Sequence, residues 1–415
     1  MFPVAARGTM SLMNTPIHWR RVTLALSLTA ITVIAACSTQ TASPSPSAPV
    51  TPQSPSAQPS ATPEPSEPAE SPAPTTPTPP AVDWGAANVP ESANASAITS
   101  VVRGGDGFVA IGSDGAFGSI LWTSEDGRTW RDITPEGFAS VGIASAIEFD
   151  GGLIAVGRGN TIDVDAQLAA VYRSDDGFTW HMVDAGDEMV GQLIDLVATD
   201  DGLFAVGGVP GADAAGIWRS TDGETWERTG GDFDHAFMWS IAEGGPGLVA
   251  VGWRRNPDPD LAVWTSVDGV EWTLAPDPEG FEGYEGTDVI DFDGTLAMVG
   301  SSLATGRGGA WFSDDGITWE LAEMHGGAGN WYARTITRTP AGLVATGTAG
   351  EMHAGAWLST DGRTWQPFGD PVPNAFFHTA YATDDGLLAL GATQDGTLET
   401  GIQAHAMLWG ATLAD

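Results

Sequence analysis

Lysine is absent from this 415-residue chain: all 16 basic residues are arginine, set against 53 acidic ones. The formal net charge of −37 repels phosphate backbones and anionic headgroups, which argues against nucleic acid or a bare lipid surface as partners. Cysteine occurs once, at Cys37, so no intramolecular disulfide can form and no cysteine cluster can hold zinc. Packing alone must stabilise the fold. No long segment carries a helical period. What the chain has instead is 54 glycines, 17 tryptophans and 42% hydrophobic residues, enough to bury a large core.

The first 36 residues read as an export signal. Arg20 and Arg21 precede VTLALSLTAITVIAA, an apolar run of 15 residues, too short to span a bilayer comfortably. The run ends in Ile34-Ala35-Ala36-Cys37, which resembles the lipobox of bacterial lipoproteins. That resemblance implies removal of residues 1–36, lipidation of Cys37 and anchoring to the outer face of the cell membrane. Cleavage would take the net charge from −37 to −40, because three arginines and no acids precede Cys37. Residues 37–81 are mostly Ser, Pro, Thr and Ala, a composition that cannot offset its own ordering entropy and reads as a disordered tether.

Beyond the tether, residues 82–415 repeat. Trp130, Trp180, Trp226, Trp272, Trp319 and Trp365 end six near-copies of WRSTDGETW (Trp218–Trp226), at spacings of 50, 46, 46, 47 and 46. A period in this range signals a solenoid or a propeller. About twenty residues before each ending stands a second motif, with seven instances: GFVAIG, GLIAVG, GLFAVG, GLVAVG, GTLAMVG, GLVATG and GLLALG. These read as buried strands with glycine turns at both ends. A third apolar run precedes each, so every unit supplies four short antiparallel strands, one propeller blade. The seventh unit stops after three strands, at Trp409, while VDWGAANV places Trp84 where other units have Thr-Trp. The pattern therefore predicts an all-β, seven-bladed propeller whose last blade is closed by the N-terminal strand. Closure hides edge strands that would otherwise template association, so a monomer is expected.

The repeated box resembles that of the Asp-box (BNR) repeat proteins, found in sialidases and other secreted propellers, although Asp and Gly are adjacent here, one residue shorter than the family pattern. In physical terms it is a hairpin turn. Gly223 takes positive φ, Asp222 and Ser220 bond turn amides, and Trp226 packs between blades. Asp126, Asp176, Asp222, Asp268, Asp315 and Asp361 are thus assigned a structural role. Clustered acids such as Asp175-Asp176 keep a calcium loop as an alternative, but no metal or other cofactor is otherwise indicated.

Subtracting the repeat isolates what it does not explain. The boxes account for thirteen tryptophans and Trp19 lies in the signal, which leaves Trp239, Trp253 and Trp331. Trp253 abuts Arg254-Arg255, and Trp331 adjoins Tyr332 and Arg334. Tyr284, Phe377 and His378 hold comparable positions in the fifth and seventh units. These ten residues gather aromatics and arginines on one arc of one rim, a composition suited to a glycan, a peptide or an envelope protein. Strand parity introduces a conflict. Ser100, Ser145, Asp195, Ser240, Asp288, Thr335 and Thr379 align as a polar column toward the channel. Trp239, Arg334 and His378 precede column residues by one, which in a regular strand turns them to the opposite face.

The resemblance to sialidases implies an Arg-Ile-Pro motif and three arginines gripping a carboxylate. This chain has no Arg-Ile-Pro, and its inner-strand arginines, Arg103, Arg334 and Arg338, are scattered along their strands. Neither HExxH nor Gly-x-Ser-x-Gly occurs. The sequence accordingly favours a non-catalytic binding module at the channel rim. A sialidase-like hydrolase or lyase using the same rim and a purely structural envelope scaffold are the alternatives.

Overall fold

The computed structural model describes residues 82, 84–87, 95–105, 107–114, 118–159, 168–186, 189–209, 212–255, 258–276, 280–302, 304–305, 307–325, 331–350, 353–384, 386–395 and 403–412. The export signal, Cys37 and the tether lie outside these residues. Among the described residues no helix is long and apolar enough to cross a membrane, and the one helical element is a 3-10 turn at Phe138–Ser140.

Seven antiparallel sheets follow one another, each with its first strand innermost. The inner strands are Ala97–Gly104, Val141–Phe149, Gln192–Thr199, Ala236–Gly244, Tyr284–Phe292, Trp331–Thr339 and Ala375–Thr383, here taken as blades 1 to 7. Blade 7 is completed from the other end of the chain. Gly85–Ala87 pairs with Gln403–Thr412, with Gly85 opposite Gly410 and Ala86 opposite Trp409. In blade 3, Glu227 and Arg228 pair with Arg219 and Trp218, so Trp84 occupies the place of Trp226. The seven-bladed ring and its closure match the sequence pattern. Blade 6 adds two pairings: Glu323–Met324 lies parallel to its outer strand, and Val372–Pro373 pairs with its third.

The box turns follow their chemistry. In blade 3 the Asp222 carboxylate accepts the amides of Glu224 and Thr225, both at 2.8 Å, while Ser220 Oγ accepts that of Gly223 at 2.8 Å. Gly223 sits at φ 74°, and its counterparts Gly127, Gly177, Gly269, Gly316 and Gly362 lie between 68° and 75°. Trp226 Nε1 then donates back to Gly223 O at 3.2 Å. Each box tryptophan packs into the interface with the preceding blade. Trp218 and Trp226 join Ile154, Val156 and Val171 of blade 2, and Trp122 and Trp130 join Leu388, Leu390 and Leu408 of blade 7. Burying an aliphatic side chain such as Ile154 or Leu388 contributes about 1.5–3 kcal/mol, so the interfaces between blades stabilise the ring substantially.

One expectation is corrected. The glycine that ends each GLVAVG-type motif is not a turn residue. It lies mid-sheet, opposite a β-bulge present in every inner strand. The pairing shifts between Ile98 and Ser100, Ile143 and Ser145, Leu193 and Asp195, Met238 and Ser240, Gly286 and Asp288, Ala333 and Thr335, and Phe377 and Thr379. The skipped residues are Thr99, Ala144, Ile194, Trp239, Thr287, Arg334 and His378. The glycine makes room for the bulge: an ideal Cβ on Gly252 would meet Phe237 O at 1.9 Å, and one on Gly347 would meet Tyr332 O at 2.1 Å.

Candidate binding site at the channel mouth

Bulges re-aim side chains, and here they resolve the parity conflict. All seven bulged residues and all seven residues of the polar column line one cavity of about 740 Å³ at the channel mouth. Trp239, Arg334 and His378 therefore face the same space as Ser240, Thr335 and Thr379. Above the bulges stands an upper tier of cross-strand pairs. On blades 4 to 7 these are Phe237 with Trp253, Glu285 with Ser301, Tyr332 with Thr348, and Phe376 with Ala392. On blades 1 to 3 they are Ala97 with Ser113, Gly142 with Arg158, and Gln192 with Gly208. The tier is aromatic on blades 4, 6 and 7, carries Glu285 on blade 5, and on blades 1 to 3 is small apart from Arg158 and Gln192.

The column residues form a hydrogen-bonded belt between blades. Ser145 Oγ donates to Asp195 Oδ1 at 3.2 Å. Asp195 Oδ2 accepts the amide of Ile241 at 3.2 Å, and Asp288 Oδ2 that of Ile336 at 2.7 Å. Ser240 Oγ lies 3.1 Å from Asp195 Oδ2 and 2.8 Å from Asp288 Oδ1. A hydroxyl carries one proton, so both contacts are hydrogen bonds only when one of the carboxyls donates the other. Burial, and then the charge of Asp195, push Asp288 up to about 7. Asp195 is also raised, by burial.

In the upper tier, Glu285 accepts Trp239 Nε1 at 3.1 Å and Ser301 Oγ at 3.2 Å. The His378 imidazole, edge-on to Phe376 at 4.9 Å, is pushed down to about 3 by burial and then by the Arg334 charge, which leaves it neutral at physiological pH. Among the described residues neither the His378 ring nor the Arg334 guanidinium has a hydrogen-bond or ion-pair partner. Arg103 and Arg338, the other inner-strand arginines, pair at the far ends of their strands with Asp384 and Asp293, at 3.3 and 2.6 Å.

Of the ten rim residues singled out in the sequence, Trp239, Tyr332, Arg334 and His378 line the cavity. Trp253 stands beside it, stacked at 12° on Phe237 with centroids 6.4 Å apart. Arg254 and Arg255 are tied outside it to Asp232 and Asp213, at 2.8 and 3.4 Å. The remaining three are packing residues. Tyr284 lies against Trp311 at 5.3 Å, Trp331 against Trp357 at 5.4 Å, and Phe377 between Trp84 and Trp409 at 5.1 and 5.2 Å. The sequence reading missed Glu285, Gln192 and Arg158, which also line the mouth. Their signal was the position three residues before the column, or one residue after the closing glycine, once a bulge is assumed. Among the described residues no group of three or more His, Cys, Asp or Glu side chains is arranged to hold a metal ion.

This geometry defines a seven-bladed β-propeller with an asymmetric channel mouth. No protein-family model matches the chain, and no curated protein is similar to it in sequence. Among solved structures it is similar to virginiamycin B lyase from Staphylococcus aureus, with a TM-score of 0.54 at 10% identity over 80% of this chain and 100% of the lyase. That likeness speaks to the fold. The sialidase of Trypanosoma rangeli, solved as a covalent intermediate with 2,3-difluorosialic acid and in complex with sialic acid, is more distant. Its TM-scores are 0.41 and 0.40 at 14% identity, over 70% and 71% of this chain and 56% and 57% of the sialidase.

Proposed function

We propose that this protein is an exported, lipid-anchored binding module that holds a glycan or peptide at the channel mouth without transforming it. One observation carries the reading: Arg334 and His378, both partly buried and without protein partners among the described residues, are aimed by bulges into the same cavity as Trp239. Desolvating a cation and an imidazole without partners is costly, and a bound ligand recovers that cost. The belt supports binding rather than turnover, because Asp195 and Asp288 spend their oxygens on the amides of neighbouring blades. The lipobox-like run ending at Cys37 and the tether after it support display outside the membrane, and Cys37→Ala is expected to release the protein from the membrane fraction.

A second reading, a hydrolase or lyase, is favoured by the Asp288 carboxyl, which lines the cavity and is raised to about 7 by burial and then by the charge of Asp195. Glycan and peptide arrays probed with the full-length chain test the first: Arg334→Met and His378→Gln are expected to weaken the strongest signal at least tenfold. Incubating that ligand with the protein separates the two readings. Products that vanish with Asp288→Asn, while binding persists, would establish catalysis.

A further inference from the structure

Three aromatic rings run in series from the cavity along the top of blade 4. Trp239, on its bulge, touches Phe237 with ring centroids 4.6 Å apart. Phe237 is the cross-strand partner of Trp253, and their rings lie nearly parallel, 12° apart in tilt with centroids 6.4 Å apart. Such rings are slipped, so neither covers the whole face of the other. All three keep part of their surface open. Gly208 on blade 3 permits the arrangement, since an ideal Cβ there would lie 2.5 Å from the Phe237 ring. The guanidinium of Arg255 sits 5.6 Å from the Trp253 centroid at the outer end. Arg334, from blade 6, lines the same cavity as Trp239, with no counter-ion among the described residues.

Only blade 4 carries aromatics at all three positions. The equivalent triplets are Thr99, Ala97 and Ser113 in blade 1 and Thr287, Glu285 and Ser301 in blade 5. The repeat therefore does not require them. Their second strand, Gly247–Arg255, continues three residues past Gly252, which carries the row beyond the cavity.

Resting on the binding role assigned to the mouth, we infer that the ligand is an acidic oligosaccharide, bound with one acid-bearing sugar in the cavity and further sugars laid outward on Phe237 and Trp253, the local charge of Arg334 acting within a chain of net charge −37 whose long-range repulsion is screened beyond about 8 Å at physiological salt. A carboxylate on the inner sugar supplies the anion that Arg334 lacks, and His378 and Glu285 take hydroxyls. Sugar rings present flat C–H faces with hydroxyl edges, which suits a row of partly open rings with hydrogen-bonding groups beside it. A peptide fits less well. The outer edge strands are only two to four residues long, so they offer little edge for β-strand addition, and the row has no deep apolar pocket for side-chain anchors.

The test uses the full-length chain and uronate oligomers of one, three and six sugars (oligogalacturonate, alginate and hyaluronan), with cellohexaose as the uncharged control and carboxylate-ended hexapeptides as competitors. Affinity for at least one uronate series is expected to rise tenfold or more from one to three sugars. Trp253→Ala should erase that rise. Arg334→Met should weaken all lengths and bring the hexamer close to cellohexaose. No binding of any uronate hexamer, a Trp253→Ala protein that matches the parent, or preferential binding of the peptides overturns the inference. Length-independent binding that still depends on Arg334 would overturn the row alone, whereas uronate binding indifferent to both Arg334 and His378 would overturn the site itself.

Discussion

Gly252 faces Phe237 across blade 4 so closely that an ideal Cβ on the glycine would lie 1.9 Å from the Phe237 carbonyl oxygen. That approach allows the strand opposite to bulge at Trp239 and turn its indole into the channel mouth. Gly252→Ala must push the inner strand away or flatten the bulge. A cost of about 1–3 kcal/mol is expected, the usual range for overpacking, together with weaker ligand binding. Gly410→Ala, where a Cβ would meet nothing within 4 Å, is the control and should be neutral. Urea unfolding of both variants decides the matter, and equal stability of Gly252→Ala and the parent would refute the constraint.

The same glycine shows what the sequence made legible. Blade count, closure through Trp84 and the turn at Asp222-Gly223 could all be read, because each depends on local periodicity or on a residue's own backbone preference. The bulge could not be read from parity. It depends on a missing side chain on one strand and an extra residue on its neighbour, and regular-strand parity alone sets Trp239, Arg334 and His378 against the polar column with which they share a cavity. Trp331 and Phe377 stand apart from the cavity lining for a related reason. They are large residues outside the repeat pattern, but they fill local gaps beside Trp357 and Trp84, which only packing reveals. Glu285 and Arg158 belong to no motif and became meaningful only as members of a tier.

The carboxyls of the ring give its stability opposite pH limbs. Asp288 is raised from 3.8 to about 7, so its contribution is full below 3.8 and is lost as pH rises through about 7. The turn carboxylates Asp126, Asp176, Asp222, Asp268 and Asp315 are held below their ordinary value, first by backbone amides. Their contribution is full above 3.8 and is lost only as pH falls through the lowered values. Thermal unfolding should therefore show a Tm that peaks on the acid side of neutrality and declines toward pH 8. Asp288→Asn should flatten the decline. Parallel profiles for variant and parent would remove Asp288 as its cause.

His378 titrates near 3, through burial first and the Arg334 charge second. Replacing Arg334 with methionine removes the smaller cause, so the imidazole should move up yet remain below its ordinary 6.5. Nitrogen NMR of the ring across pH 2 to 7 reads this directly. A parent His378 that titrates above 6 would contradict the buried, neutral imidazole on which the binding site depends.

Ser220 tests the box turns as structural devices. Its hydroxyl oxygen accepts the buried amide of Gly223 at 2.8 Å, and Ser220→Ala leaves that amide without a partner. The expected loss is about 1–3 kcal/mol, with ligand affinity at the mouth unchanged, since the turn belongs to the outer hairpin. A Ser220 variant of full stability that lost binding would reverse the assignment and bring the boxes back as functional sites.

Closure of the ring rests on Trp84, whose indole lies 5.1 Å from the Phe377 ring and 6.1 Å from that of Phe368. Deleting residues 1–81 keeps every strand of the ring and should leave unfolding unchanged, whereas deleting through residue 87 removes the strand that pairs with Trp409. That second deletion exposes the outer edge of Gln403–Thr412, a row of unpaired backbone groups able to recruit another chain. Trp84→Ala keeps the backbone pairing and removes the packing, at a cost of about 3 kcal/mol, the low end for tryptophan truncation because the indole is only partly buried. Sedimentation velocity and thermal unfolding together separate the two contributions. The point variant should stay monomeric with a lowered Tm, and the longer deletion should both lose stability and self-associate. A monomeric, fully stable protein lacking residues 82–87 would mean that the N-terminal strand does not close the ring.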